Sequence, residues 1–265
     1  MASSAKTVAK AIELLRFVAS SKARNLRLID IAEMTALDKS TTHRLLQRLE
    51  RERMLVRDPW QRGYRLGPLL YELGLAALPE TNLRELSEPA LRRLAETTGD
   101  MAFLIVRSGY ETVCLNRIAG GFEIQTMTRT LGDRHPLGIG AGGLTLLAAM
   151  ADNEVRLALE AVAPQLPRYS LSEDQLRERI LEARETGYSL DEGASASGIT
   201  AIGRAIRSPT GNPFAAIFVA SISSRMEGAR KTYINRQLAA CVKEIESVID
   251  LRPRQSPSYG KSSIA

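Results

Sequence analysis

Residues 38–55, DKSTTHRLLQRLERERML, constrain the fold more than any other stretch of the chain. Successive residues of an α-helix turn by about 100°. With Leu45, Leu46 and Leu49 set inward and Thr42 beside them, Ser40, Arg44, Gln47 and Arg51 fall on the opposite face. Thr41, His43 and Arg48 flank that face. One side is apolar; the other carries cations, hydroxyls and an amide. Asp38 or Ser40 can cap the start by accepting a free backbone N–H.

Two further helices precede it. Val8, Ala11, Ile12, Leu15 and Val18 recur at helical spacing and predict a helix over 6–21. LRLIDIAEMTAL predicts a short helix over 28–35 and a tight turn, with Leu28, Ile31, Ala32 and Leu37 as core. After the third helix, LVRDPWQRGYRL alternates apolar and polar residues around a turn bracketed by Pro59 and Gly63. That is a β-hairpin wing with Arg57, Arg62 and Arg65 about its tip. Trp60 reads as its anchor.

A short helix, a turn and a polar-faced helix form a helix-turn-helix. Arg and Gln side chains reach base edges in a major groove, while Ser, Thr and further Arg grip phosphates. The candidate DNA contacts are Ser40, Thr41, Thr42, Arg44, Gln47, Arg48, Arg51 and Arg62, with double-stranded DNA as the partner. His43 reads as an ordinary surface or half-buried histidine. The net charge of +6 is concentrated here: residues 1–80 hold 14 Lys and Arg against 9 Asp and Glu, and residues 81–265 hold 22 against 21. A basic small domain joined to a nearly neutral one is the footprint of polyanion binding.

The expected domains are 5–66 for the winged helix-turn-helix, 67–80 for a helical linker, 81–250 for a second domain, and 251–265 for a disordered tail. The second domain opens with a helix to Thr98 that Pro89 could kink. MAFLIVRSG and ETVCLNRIAG predict a hairpin, and FEIQTMTR a third strand over 122–129. Helices follow near 141–151, 152–163 and 172–187. ITAIGRAI and PFAAIFVASI form a second hairpin across SPTGN, and a helix over 226–250 sets Ile234, Leu238, Cys241, Val242, Ile245 and Ile249 on one face. Strands on the outside and helices between them predict an α+β domain with an antiparallel sheet.

Other classes are excluded or weakened. No run of about 18 apolar residues suggests a membrane span, and MASSAKTVAKAIELL lacks the features of a secretory signal. Cys114 and Cys241 are far apart and without metal spacing, so a cytoplasmic protein with reduced thiols is expected, with no metal or cofactor. Gly138, Gly140 and Gly143 match G-x-G-x-x-G, but Pro136 is a poor central-strand residue and no acid ends a following strand, so a dinucleotide site is not expected. A glycine turn opening a helix can still receive a carboxylate, or simply allow tight helix–sheet packing. GASASG is not G-x-S-x-G, no H-E-x-x-H or P-loop occurs, and Asp191-Glu192 on a strand would point to opposite faces.

STTHRLLQRLE at 40–50 and GYRLG at 63–67, with the order of elements over 6–250, closely resemble the IclR-type transcriptional regulators. The resemblance implies a GAF-like second domain that binds a small effector and a homodimeric or homotetrameric assembly. Matched residue by residue, its effector positions fall on Ile124, Met127, Ala141, Gly142, Asp191, Ala201, Phe218 and Ala220, with His135 at the entrance to the glycine turn. Ala201, Phe218 and Ala220 replace polar or thiol residues of relatives, and Leu144 stands where many carry lysine. An organic acid with a hydrophobic or aromatic body is therefore expected. The competing readings are a DNA-binding protein whose second domain only oligomerises, and an enzyme acting on a small carboxylate.

Overall fold

The computed structural model describes residues 2–21, 26–35, 37–58, 63–77, 82–122, 129–194 and 196–250. The chain forms two compact units, the first of residues up to Asn82 with the short segment Gly132–Arg134, the second of Leu83–Leu131 and the residues from His135 on.

The first unit runs α1 (Ala2–Ser20), α2 (Leu28–Met34), α3 (Lys39–Arg51), β1 (Leu55–Arg57), β2 (Tyr64–Leu66) and α4 (Pro68–Ala77). α3 starts where Asp38 accepts the Thr41 N–H at 2.8 Å, satisfying a donor that the first helical turn leaves open. Its leucines 45, 46 and 49 bury with Leu14 and Val18 of α1, Ile31 of α2, and Leu55 and Tyr64 of the hairpin. The core gathers under the C-terminal half of α1. Val8 and Ile12, expected on the buried stripe, stand 56% and 46% exposed. β1 and β2 pair antiparallel with Leu55 opposite Leu66. The Tyr64 N–H donates to the Leu26 carbonyl at 2.8 Å, tying the wing to the segment before α2.

The second unit holds α5 (Leu83–Thr98), β3 (Met101–Ser108), β4 (Glu111–Ile118), β5 (Arg134–Pro136), α6 (Gly140–Ala149), α7 (Asp152–Val162), a 3-10 helix (Ala163–Tyr169), α8 (Glu173–Thr186), β6 (Ser189–Glu192), β7 (Ile199–Arg207), β8 (Pro213–Ile222) and α9 (Ala229–Asp250). The sheet order is β5-β4-β3-β8-β7-β6, and β3/β4, β3/β8, β7/β8 and β6/β7 pair antiparallel. β3 and β8 lie centrally, and their unbroken apolar runs follow from burial on both faces. Phe103, Ile105, Ala216, Phe218 and Ala220 pack with α6, α7 and α8. Ala102, Leu104, Ile217 and Val219 pack with α5 and α9. One sheet thus sits between two helical layers. Cys241 is buried in the α9 layer, as its helical spacing predicts, and burial pushes its thiol up to about 12.

Several elements depart from the sequence reading. The third strand expected over 122–129 falls, for 123–128, outside the described residues. β5 has no counterpart among the expected elements. Its Pro136 is tolerated because the strand sits at the sheet edge, where a missing N–H costs no ladder bond. α5 continues through Pro89. α9 begins at Ala229, after a 3-10 turn at Ser223–Arg225.

Candidate functional site

On α3 the two faces are separated physically. Leu45, Leu46 and Leu49 are buried, while Ser40, His43, Arg44, Gln47, Arg48 and Arg51 are exposed and Thr41 is half-buried. Arg48 pairs with Glu52 at 2.8 Å on the surface. Hydrogen bonds from Thr41 hold the Asp38 carboxyl below the usual carboxylate value. Thr42 requires a correction. Its side chain is fully buried and its Oγ1 donates to the Asp38 carbonyl at 3.0 Å, so it supports the helix start and does not reach a phosphate. Arg62 lies outside the described residues. On the wing, the Arg57 guanidinium lies 5.7 Å from the centre of the Tyr64 ring and Arg65 is exposed.

The second site is a cavity in the second unit, on the sheet face covered by α6. It is lined by Arg129, His135, Gly140, Ala141, Asp191, Ala196, Ile199, Ala201, Phe218 and Ala220. His135, Ala141, Asp191, Ala201, Phe218 and Ala220 come together here from separate segments, although the sequence alone gives no contact between them. Ile124 and Met127 lie outside the described residues. Gly142 is not on the cavity wall. A Cβ there would meet Ile105 Cδ1 at 2.6 Å and Phe218 Cδ1 at 2.8 Å, so its lack of a side chain lets α6 close onto β3 and β8.

The local chain explains the construction. Gly138 and Gly140 have φ of 88° and 71°, a region that costs glycine little and other residues much. They turn the chain sharply from β5 into α6, whose first residues include Ala141. Ser189 Oγ donates to the Ala141 carbonyl at 2.5 Å, fastening the start of α6 to β6. Asp191, also on β6 and buried, accepts the Ala194 N–H at 3.1 Å. The G-x-G spacing thus serves a turn and close packing, not a βαβ dinucleotide unit.

Arg129 is the principal wall residue that the sequence reading missed. It is 4% exposed. Nη1 donates to Thr112 Oγ1 at 3.0 Å and Nη2 to the Ile139 carbonyl at 3.1 Å. Its guanidinium lies 5.6 Å from the centre of the Phe218 ring, and that ring stacks on Phe103 at 4.6 Å and 6°. The wall of small apolar side chains therefore includes a fixed cation and an acid. The cavity volume is about 40 Å³, room for a few waters and well below the roughly 150 Å³ of a site that holds benzene. Among the described residues no cluster of His, Cys, Asp and Glu could hold a metal ion, and no helix is long and apolar enough to cross a membrane.

A winged helix-turn-helix followed by an α+β domain with a sheet of the GAF-like kind defines a two-domain transcriptional regulator. The chain belongs to the IclR family: residues 7–59 match the IclR helix-turn-helix domain and residues 75–247 match the bacterial transcriptional regulator IclR C-terminal domain. It is 26% identical to the HTH-type transcriptional regulator XynR of Escherichia coli, over 88% of this chain and 92% of that protein. It is 30% identical to the HTH-type transcriptional regulator TtgV of Pseudomonas putida, over 70% of each. An IclR homolog from Microbacterium hydrocarbonoxydans, crystallised with 4-hydroxybenzoate, shares the fold with a TM-score of 0.73 at 22% identity, over 93% of this chain and all of that one.

Proposed function

We propose that this regulator binds a specific DNA operator through the outward face of α3 and that a small organic acid in the second domain's cavity controls that binding. The observation that carries the DNA half is the α3 surface, where Arg44, Gln47 and Arg51 stand exposed opposite three buried leucines. Arg44 and Gln47 read bases; Ser40, Thr41, Arg48, Arg51 and Arg62 hold the backbone. The DNA-binding domain spans 5–66, the linker 67–80 and the effector and oligomerisation domain 81–250. The protein acts in the cytoplasm as a homodimer or homotetramer, with half-sites about one helical turn, roughly 34–36 Å, or a multiple apart.

The cavity's apolar lining supports an acid with a hydrophobic body, and the relative holding 4-hydroxybenzoate supports an aromatic one. At about 40 Å³ the cavity takes such a ring only if its wall opens. The effector shifts operator affinity only as far as it binds one state more tightly than the other. That the relatives are transcriptional regulators supports a binding role for the cavity over turnover.

Operator selection on full-length protein at fixed salt, repeated with a panel of aliphatic and aromatic carboxylates, tests the reading. A defined motif whose affinity one acid changes at least several-fold is expected. A motif that no carboxylate perturbs would sink the effector half, and no motif at all would sink both.

A further inference from the structure

A separate cleft in the second unit opens where the sheet loses a strand. β6 stops opposite Gly203, so residues 204–207 of β7 run on without a strand neighbour on that side among the described residues. Residues of α6, α8 and α9 close around this stretch and leave about 360 Å³ between them, a volume within the range of small-molecule sites. The wall carries Thr145, Arg184, Arg204, Arg207 and Glu246. We propose that this cleft is a second binding site, for a small phosphorylated anion, and that Arg204, Arg207 and Thr145 hold the phosphate. The site does not depend on the reading of the first cavity as the effector site. The two are joined by one buried helix, because α6 starts in the first cavity with Gly140 and Ala141 and ends at this cleft.

The three arginines have different tasks. Arg184 donates through Nε and Nη2 to the carbonyls of Ala148 and Met150 at 2.9 and 3.0 Å, and through Nη1 to Asp152 at 2.7 Å. It closes the C-terminal end of α6, whose last carbonyls lack helical partners, and all three of its nitrogens are engaged. Arg207 uses Nη1 alone, on the carbonyls of Gly211 at 2.9 Å and Ala149 at 3.4 Å. Arg204 is half-buried and uses Nε alone, on Asn235 Oδ1 at 2.7 Å. Among the described residues neither Arg204 nor Arg207 forms an ion pair. Burial pulls the Arg204 guanidinium below its ordinary value of 12.5. A half-buried cation with no acid beside it is destabilising, and an incoming anion would offset that.

Thr145 is an independent observation at the same place. It lies on α6, is 5% exposed, and its hydroxyl makes no hydrogen bond to any described residue. Ser87 and Thr98 on α5, equally buried, return their hydroxyls to a carbonyl one turn back. The carbonyl one turn before Thr145 belongs to Ala141, and Ser189 Oγ already donates to it. A buried hydroxyl is rarely left without a partner, and this one lines the cleft.

These donors suit phosphate. Two guanidiniums on β7 and a hydroxyl on α6 can share several oxygens of one tetrahedral anion, whereas a planar carboxylate is satisfied by a single guanidinium fork. Glu246 is the acid on the wall; its Oε1 accepts the Arg207 backbone N–H at 2.7 Å. Its charge opposes the anion.

Isothermal calorimetry on the full-length protein at fixed ionic strength tests the site, with inorganic phosphate against acetate and glycerol 3-phosphate against glycerol. Wild type is expected to bind both phosphates at least about tenfold more tightly than acetate, and glycerol not at all. Arg204→Gln and Arg207→Gln should each weaken phosphate binding about 10- to 100-fold, the range for a hydrogen bond to a charged group. Thr145→Val keeps the side chain's shape and should weaken it about two- to tenfold, as for a single hydroxyl. Glu246→Gln keeps an oxygen for the Arg207 N–H, removes the opposing charge and should tighten binding several-fold, a gain that a role confined to packing would not produce. Should Arg204→Gln fail to fold, Thr145→Val and Glu246→Gln decide. No phosphate binding by wild type overturns the site, as does an affinity no better than that for acetate. Binding that Arg204→Gln, Thr145→Val and Glu246→Gln all leave unchanged also overturns it, and would put the phosphate elsewhere, with the basic face of α3 as the first place to look.

Discussion

Arg230 of α9 reaches the carboxylate of Asp100, at the turn from α5 into β3, with Nη2 2.6 Å from Oδ2. The Asp100 side chain is 1% exposed. It also accepts from Ser221 Oγ at 2.7 Å and Arg225 Nε at 3.2 Å, and the Arg225 guanidinium covers Phe122 at 3.8 Å. One buried acid thus ties the strand ends of β3 and β8 to α9.

Removing that acid should be costly. Asp100→Asn leaves two partly buried cations facing a neutral amide, and breaking a buried pair from one side typically costs about 3 kcal/mol or more. Ser221→Ala removes one hydrogen bond and should cost about 1 kcal/mol. Urea unfolding at neutral pH measures both. A loss under about 1 kcal/mol for Asp100→Asn would mean that solvent compensates the arginines.

On α3 the arginines should divide by role. Arg44→Ala is expected to weaken specific binding by about 1–3 kcal/mol and relax base choice, as for a base-reading arginine. Arg48 already shares its charge with Glu52 at 2.8 Å, so Arg48→Ala should lower affinity nearly equally on all sequences. Glu52→Gln frees Arg48 and should steepen the salt dependence by up to about one phosphate contact, a slope change of about 0.9. Thr42→Val should leave DNA affinity and salt slope unchanged, since the side chain faces the leucines. Fluorescence anisotropy over a salt series on operator and scrambled duplexes reads all four. An equal loss on both duplexes for Arg44→Ala reduces that residue to a phosphate grip.

The helix-turn-helix is legible in the sequence because its signals are local: a cap at Asp38, leucines at helical spacing, and a turn at 59–63. The sheet is legible only as strands. Its order depends on pairing between distant segments, such as Phe103 opposite Phe218, and no local pattern encodes that. The short edge strand at Arg134–Pro136 is too brief for an alternation to stand out. Thr42 misleads because helical angle places it beside the leucines while its hydroxyl suggests phosphate. Arg129 escapes the sequence reading because alternation along 122–129 puts it in the row of Glu123, Gln125 and Met127, where a cation reads as an ordinary solvent-facing side chain.

The α3 cap should respond to acid. Hydrogen bonds from Thr41 hold the Asp38 carboxyl below its ordinary value of 3.8. A depressed folded-state value means that the ionised cap stabilises the folded protein above about pH 4. That contribution is lost as pH falls from there through the lower folded-state value. Asp38→Asn keeps a side-chain oxygen for the Thr41 N–H but cannot titrate. Its melting temperature relative to wild type should therefore improve as pH drops from about 5 towards about 3. A difference that stays constant over that range would show that the charge contributes nothing at the helix start.

Packing around α6 connects the fold to the cavity most directly. A Cβ on Gly203 of β7 would lie 2.8 Å from the carbonyl oxygen of Ala141 and 2.9 Å from its carbon. Both are backbone atoms of the helix whose first turn lines the cavity, and they cannot rotate away. The clash at Gly142 is instead with the tip of Ile105 and the ring edge of Phe218, which can shift a little. Gly203→Ala should therefore cost more stability than Gly142→Ala, within the roughly 1–3 kcal/mol of overpacked cores. It should also weaken acid binding by displacing Ala141, whereas Gly142→Ala should act on binding mainly through the Phe218 ring that its Cβ would press on. Denaturant melts with calorimetry on the same two variants check this, and a Gly203→Ala protein that binds acid as wild type does would separate α6 packing from the cavity.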